Sequence, residues 1–404
     1  MRRGPRDSQA TVAYSARFVQ YSSRDSRSSR KRHVLALADD LTGAAETAAA
    51  LMSPARPARI ALSGVTGAAP VVVADLDSRH HPRTYDLVRE ALRQAGDRRV
   101  FVKVDSLLRG NVAATVAACL DAPVVLAPAL PSAGRTVVGG VPYLQGVPLR
   151  ETRAWRAESR PAPASVGEAL GEVPWVHVPV GADPAAAAAA GTVAVCDAET
   201  DADLDAIVAA VLRGSRRTRL VGAGGLAAAL GRALGGGAAS CEASPRNGRL
   251  LVVVGTAEPG ALDQVRLLVE HGARHLPVHV ELDTPASSAT AGQVREALAA
   301  GAVVLTARGP AVTGTLGPVV RDALGDEPAD LVLTGGGTAR RVLDALGVRE
   351  LIPLDQVHYG AVHSRTPEGH SVVTRPGSFG AADSLLRMAT HLDHLHPDHL
   401  HPKG

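Results

Sequence analysis

Val100-Phe-Val-Lys-Val-Asp-Ser-Leu-Leu-Arg-Gly-Asn111 passes from a short β-branched run into a polar, glycine-containing segment, and that change decides how the chain is read. A strand with one wet face alternates apolar and polar residues, whereas a continuously apolar run belongs to a sheet covered on both faces. The unit recurs at Val34-Leu-Ala-Leu-Ala38, Val71-Val-Val-Ala74 and Val124-Val-Leu-Ala127, with helical spacing over Thr84 to Gln94 and Val112 to Leu120. Strands alternating with helices give a parallel sheet. The pattern resumes at Leu251-Val-Val-Val254, Ala302-Val-Val-Leu305, Leu331-Val-Leu333 and Ser371-Val-Val373, after a Gly/Ser/Pro-rich stretch from Gly235 to Gly248 with linker composition. The expected fold is α/β: two domains, each a mostly parallel sheet covered by helices, with the active site in the interdomain cleft.

Composition excludes several classes. With 404 residues and 46% hydrophobic content the chain can bury two or three cores. Aromatic residues make up only 2%, which leaves few platforms for stacking single-stranded nucleic acid. Residues 1–32 hold nine basic and two acidic residues, a net of +7, so the whole-chain +3 leaves −4 on the remainder. A mildly acidic body argues against a nucleic-acid partner. The first 32 residues form an Arg/Ser-rich stretch without an apolar run, expected to be a disordered arm rather than a signal or an anchor. Nothing approaches the ~20 apolar residues of a membrane span. Cys119, Cys196 and Cys241 are odd in number and lack metal spacing, which fits a reducing, cytoplasmic location. The His-rich tail, 391–404, has the residue types for metal binding, but a frayed terminus is the expectation, because nothing in the sequence fixes its ligands.

Lys103 stands out chemically. It is one of three lysines against forty arginines, and the others, Lys31 and Lys403, lie near the ends. Lysine is a compact point charge where arginine is a rigid fork, so its use here implies a tight anion site. Ligands of parallel α/β sheets bind beyond the carboxyl ends of the strands. Those ends carry Asp39-Asp40, then Asp77-Ser78-Arg79, then Lys103 with Asp105, Ser106, Arg109 and Asn111. Adjacent carboxylates repel a dinucleotide pyrophosphate, but they accept hydrogen bonds from hydroxyls, and the cations suit a carboxylate. The mixture fits a small hydroxylated acid. In the second half the strand ends are glycine-rich: Gly255-Thr256, Thr334-Gly335-Gly336-Gly337-Thr338 and Pro376-Gly377-Ser-Phe-Gly380. Glycine turns entering helices expose N–H groups and suit phosphates. A P-loop is excluded, because no lysine lies between 104 and 402.

Taken in order, Ala38-Asp-Asp-Leu-Thr-Gly-Ala-Ala-Glu-Thr47, Lys103 to Asn111, Pro128-Ala-Leu-Pro-Ser-Ala-Gly-Arg-Thr136 with Gly146-Val-Pro-Leu149, Thr334 to Thr338 and Pro376 to Gly380 resemble the four-carbon acid sugar kinases, from about residue 33 to 390. The resemblance implies a sugar-acid substrate-binding domain at 33–240 and a nucleotide-binding domain at 249–390. Across the cleft between them, ATP with Mg2+ would phosphorylate a hydroxyl of threonate, erythronate or 3-oxo-tetronate. On this reading Asp39 is the general base and Lys103 its catalytic partner, although the choice of base among Asp39, Asp40 and Asp105 stays open. Asp40, Asp77, Ser78, Arg79, Asp105, Ser106, Arg109 and Asn111 bind substrate, while Thr256, Gly335, Gly336, Gly337, Thr338, Gly377 and Gly380 hold the nucleotide. The ligands of the metal are unassigned. A homodimer is compatible with the sequence, and the cleft is expected to close when both ligands bind.

The chain departs from the family's pattern. Gly337 stands where that pattern has an acidic residue, Arg375 replaces its lysine, Ser378 its asparagine, and Gly222-Ala-Gly-Gly-Leu226 a Gly-Ser-Ala-Gly-Leu segment. Two rival readings are a catalytically weakened sugar-acid sensor, favoured by Gly337, and an oxidoreductase, disfavoured by Asp39-Asp40.

Overall fold

The structure is a computed structural model and describes residues 33–156, 158–240, 246–255, 259–279, 288–308, 312–377 and 380–395. The first half contributes β1 (Val34–Ala38), β2 (Ala58–Ala61), β3 (Val71–Asp75), β4 (Arg99–Lys103), β5 (Val124–Ala127), β6 (Arg135–Val138), β7 (Val141–Leu144), β8 (Val147–Pro148), β9 (Trp175–Val178), β10 (Val193–Cys196) and β11 (Arg219–Gly222). The second contributes β12 (Leu250–Val254), β13 (Arg274–His279), β14 (Val303–Arg308), β15 (Asp330–Thr334), β16 (Glu350–His358), β17 (Ala361–Arg365) and β18 (Ser371–Arg375).

In the first half, β2-β3-β1-β4-β11-β5-β10-β9 form a wholly parallel sheet, and in the second β13-β14-β12-β15-β18 do the same. The central strands β1, β3, β12 and β15 are buried at every residue, as continuous apolar runs require. The helix Leu41–Leu51 is built almost entirely of small residues and is buried along most of its length. Cys119 and Cys196 are buried thiols, which burial pushes up to about 12; Cys241 lies outside the described residues.

The α/β class holds, but the two halves share one sheet. β18, β17 and β16 run antiparallel, and β16 pairs antiparallel with β2, Glu350 opposite Ala61 and Leu351 opposite Ile60. The result is a continuous fifteen-stranded sheet. β16 can serve both sides because it is nine residues long: its start reaches β2 while the rest pairs with β17 through a two-residue turn, Tyr359-Gly360, with Gly360 at φ +79°.

The linker reading needs correction as well. Gly237 N donates to Met52 O at 2.8 Å and Ser240 N to Leu354 O at 2.6 Å, and a Cβ on Gly236 would stand 2.7 Å from Leu51 O. This part of the segment is a strap laid against both halves, with glycine chosen for close approach; 241–245 lie outside the described residues. The tail is likewise anchored at its start. His391 closes the helix Ser384–His391, and His394 Nε2 lies 2.8 Å from Asp330 Oδ2. The arm 1–32 and residues 396–404 lie outside the described residues.

Candidate functional site

β3, β1 and β4 are neighbours in register, Ala38 standing opposite both Asp75 and Lys103, so their carboxyl ends are level. That alignment gathers the polar residues which follow each strand. Arg79 donates to Asp39 through Nε (2.8 Å) and Nη2 (3.0 Å), and Nη2 is also 3.0 Å from Asp40 Oδ1. Asp40 is the N-cap of the helix Leu41–Leu51, accepting from Gly43 N and from the Thr42 hydroxyl, both at 2.8 Å. Burial works to raise the Asp40 carboxyl, but Arg79, Lys103 and the two hydrogen bonds hold it below its ordinary value.

Lys103 is 5% exposed, with Nζ 3.3 Å from Glu46 Oε2. Burial opposes its charge, but Glu46, Asp39 and Asp40 outweigh burial and raise its pKa. Asp105 accepts from Arg109 Nε (2.7 Å) and Nη2 (2.8 Å). Burial alone would raise its carboxyl; the Arg109 hydrogen bonds and nearby guanidiniums instead hold it well below the usual carboxylate range. Arg135 donates to Ser106 Oγ.

Other expected ligands also hold the local structure together. Ser78, 1% exposed, uses its N–H on Asp39 O and its carbonyl on Thr84 Oγ1. Asn111 Nδ2 donates to His81 O and Thr84 Oγ1 at the exposed edge. Asp77, at φ +45°, accepts from Arg341 of the second half.

The second half meets this cluster directly. Gly335, at φ +85°, caps the helix Gly336–Ala345. A Cβ on Gly336 would lie 2.5 Å from Asp40 Oδ2 and 3.3 Å from Thr42 Oγ1, so the glycine-rich helix start rests on the acidic pair. Gly337 is exposed in the first helical turn and Thr338 is buried. Behind them Arg375 is fully buried; Nη1 donates to Gln264 Oε1 (2.8 Å) and Ser384 Oγ (2.7 Å), while Nε and Nη2 have no hydrogen-bond partner among the described residues. Burial pushes this guanidinium down to about 10. Gly380, at φ +102°, would place a Cβ 2.6 Å from Arg375 Nη1, and Gly377 sits in the turn after β18. Thr256 and Ser378 lie outside the described residues.

Residue-level reading missed several groups that cross the junction. Arg340 reaches Asp75 Oδ2 (2.8 Å) and Leu62 O (2.6 Å), and Tyr359 OH donates to Glu46 Oε1 at 2.7 Å. Glu46 and Arg135 were inside the quoted motifs without a stated role; Tyr359 carried no signal in the sequence. A cavity of about 210 Å³ at the junction is lined by Glu46, Met52, Gly224, Arg232, Gly236 and Tyr359. A larger one, about 690 Å³, lies among Arg98, Arg216 and Arg219 at the amino ends of β4 and β11. Parallel sheets present ligands at the opposite ends, so the larger cavity lies on the wrong side of the sheet for the polar cluster, and the smaller one touches that cluster only through Glu46.

An acidic and cationic cluster thus faces a glycine-rich helix start. The sequence matches a sugar-binding N-terminal domain over residues 34–230 and a nucleotide-binding C-terminal domain over 251–385. It is 32% identical to a D-threonate kinase of Cupriavidus necator, over 87% of this chain and 96% of that one, and 28% identical to a 3-oxo-tetronate kinase of Methylobacterium radiotolerans, over 87% and 97%. A solved structure from Salmonella typhimurium LT2, described as a putative tRNA synthase, shares the fold with a TM-score of 0.70 at 21% identity, covering 88% of this chain and 98% of that one. The chain belongs to the four-carbon acid sugar kinase family and is a kinase.

Proposed function

We propose that this enzyme transfers the γ-phosphoryl group of ATP to a hydroxyl of a four-carbon acid sugar, D-threonate before 3-oxo-tetronate, at the junction of the two halves. The observation that carries the reading is the seat of Gly336 against Asp40 and Thr42. It sets phosphate-binding backbone beside hydroxyl-binding carboxylates, and phosphoryl transfer needs chiefly positioning and charge stabilisation. Arg375, a buried cation with two nitrogens that have no partner among the described residues, fits a nucleotide phosphate. Mg2+ bound with the triphosphate would neutralise developing charge there. Gly335, Gly336, Gly337, Thr338, Gly377 and Gly380 line the nucleotide side.

Asp40 is committed to its cap and its pKa is lowered, and Asp105 is locked to Arg109. Asp39 is also paired with a guanidinium, but Arg79 divides its Nη2 between Asp39 and Asp40, so Asp39 is the general base we assign. Lys103 and Arg109 take the substrate carboxylate or the phosphoryl charge. The reading is tested by ADP release from Mg-ATP over a panel of tetronates, with D-threonate expected to give the highest kcat/KM. Tight binding of a tetronate without ADP release from any of them would establish the sensor reading that Gly337 favours.

A further inference from the structure

Away from the phosphoryl-transfer site, three side chains from separate elements converge. His391 Nε2 lies 3.0 Å from His363 Nδ1, and Asp355 Oδ1 lies 3.3 Å from each of those nitrogens. The three donor atoms form a nearly equilateral triangle. A tetrahedral zinc ion with bonds of about 2.0–2.1 Å holds its ligand atoms about 3.3–3.4 Å apart, so this is close to one face of such a shell. Asp355 Oδ1 is buried and shared between the two ring nitrogens, so one carboxylate oxygen faces two imidazoles at equal distance.

The backbone holds the group in place. Asp355 and His363 face each other across the β16–β17 ladder, and a register shift between Pro353 and Asp355 re-aims the strand there. His363 Nε2 lies 2.8 Å from Ser371 Oγ, an outer partner of the kind that fixes the ring of a metal-bound histidine. His391 comes from the last turn of the Ser384–His391 helix. His363 is 6% exposed, His391 28% and Asp355 36%, so the group is closed on the protein side and open on the other.

We propose that Asp355, His363 and His391 bind a divalent cation of the Zn2+ class, with the remaining coordination supplied by solvent on the open side. Two imidazoles and one carboxylate suit a borderline transition metal, whereas Mg2+ prefers oxygen ligands and keeps its waters. The site is thus distinct from the Mg2+ that accompanies nucleotide. Its metal would tie the C-terminal helix to the hairpin whose turn carries Tyr359, the residue that reaches Glu46 in the first half.

Full-length protein stripped with a chelator and titrated with Zn2+ by calorimetry, with Co2+ as the visible-absorption probe, tests this. We expect one saturable high-affinity site per chain that millimolar Mg2+ does not displace, and a higher melting temperature with metal. His391→Ala should abolish it and Asp355→Asn should weaken it at least tenfold, while replacing His396, His399 and His401 together with alanine should leave it intact. Asp355→Asn keeps the test valid should His391→Ala not fold. Absence of saturable binding, or binding retained in both point variants and lost in the triple variant, would overturn the proposal.

Discussion

At the scale of one residue, Lys103 carries the sharpest test. Its ammonium sits over the first turn of the Leu41–Leu51 helix, where a Cβ on Gly43 would come within 3.1 Å of Nζ. Such a space admits a point charge and not a guanidinium fork. Removing a preorganised cation from a phosphoryl-transfer site costs on the order of 2–4 kcal/mol of transition-state stabilisation, roughly 30- to 1000-fold in rate. Lys103→Met should therefore lose that much kcat/KM on the best tetronate, and Lys103→Arg should not restore it. Glu46 loses its cation but keeps the Tyr359 hydroxyl, so the variant should fold. Adding Glu46→Gln should recover any lost melting temperature without recovering activity. Retention of more than half of wild-type kcat/KM by Lys103→Met would refute the role.

At the scale of an element, the start of the Gly336–Ala345 helix separates two adjacent glycines. Gly336→Ala drives a methyl group against Asp40 Oδ2, so the helix must retreat from the acidic pair. Activity should fall at least tenfold, about 1.4 kcal/mol, with secondary structure unchanged by circular dichroism. Gly337 is helical and exposed, and it is not among the positive-φ glycines. Gly337→Asp should therefore be tolerated. It removes a flexible residue from a helix, worth roughly 0.5–1 kcal/mol, and places an anion in the first turn, worth about 0.3–1 kcal/mol more. A higher melting temperature is expected, together with a lower Mg2+ concentration for half-maximal ADP release. Unchanged metal dependence in the stabilised variant would mean that other groups already do the missing carboxylate's work.

At the scale of the molecule, the β2–β16 pairing removes the free hinge that a linker implies, and Arg340 fastens the same junction. Burial pushes Asp75 up to about 7 from an ordinary 3.8, against the opposing charge of Arg340. Between roughly pH 4 and 7 the folded chain thus keeps a proton that the unfolded chain has lost. The stability from this group is present below pH 4 and falls away as pH rises to 7. Asp40 and Asp105, whose pKa values are lowered, act below that window. In urea unfolding, the stability of wild type minus that of Asp75→Asn should shrink from pH 4 to 7 and then level off. A constant difference would show Asp75 ionised throughout, held by Arg340. Arg340→Ala should cost about 3–5 kcal/mol at pH 8, where it strands a buried carboxylate, and clearly less at pH 5.

The sequence by itself determined the parallel α/β halves, because apolar runs such as Val34 to Ala38 and Val124 to Ala127 can be satisfied only between covered faces. It also placed Asp39, Asp40, Arg79, Lys103, Asp105 and Arg109 at one end of the sheet, since strand ends follow from those runs. The β16–β17 hairpin was not legible, because its strands mix polar and apolar residues and its pairing with β2 joins positions nearly three hundred residues apart. The partners of the site were hidden for the same reason. That Tyr359 faces Glu46, that Arg340 buries itself on Asp75, and that His391 meets His363 and Asp355 depend on distances across the folded chain, which spacing along it does not encode.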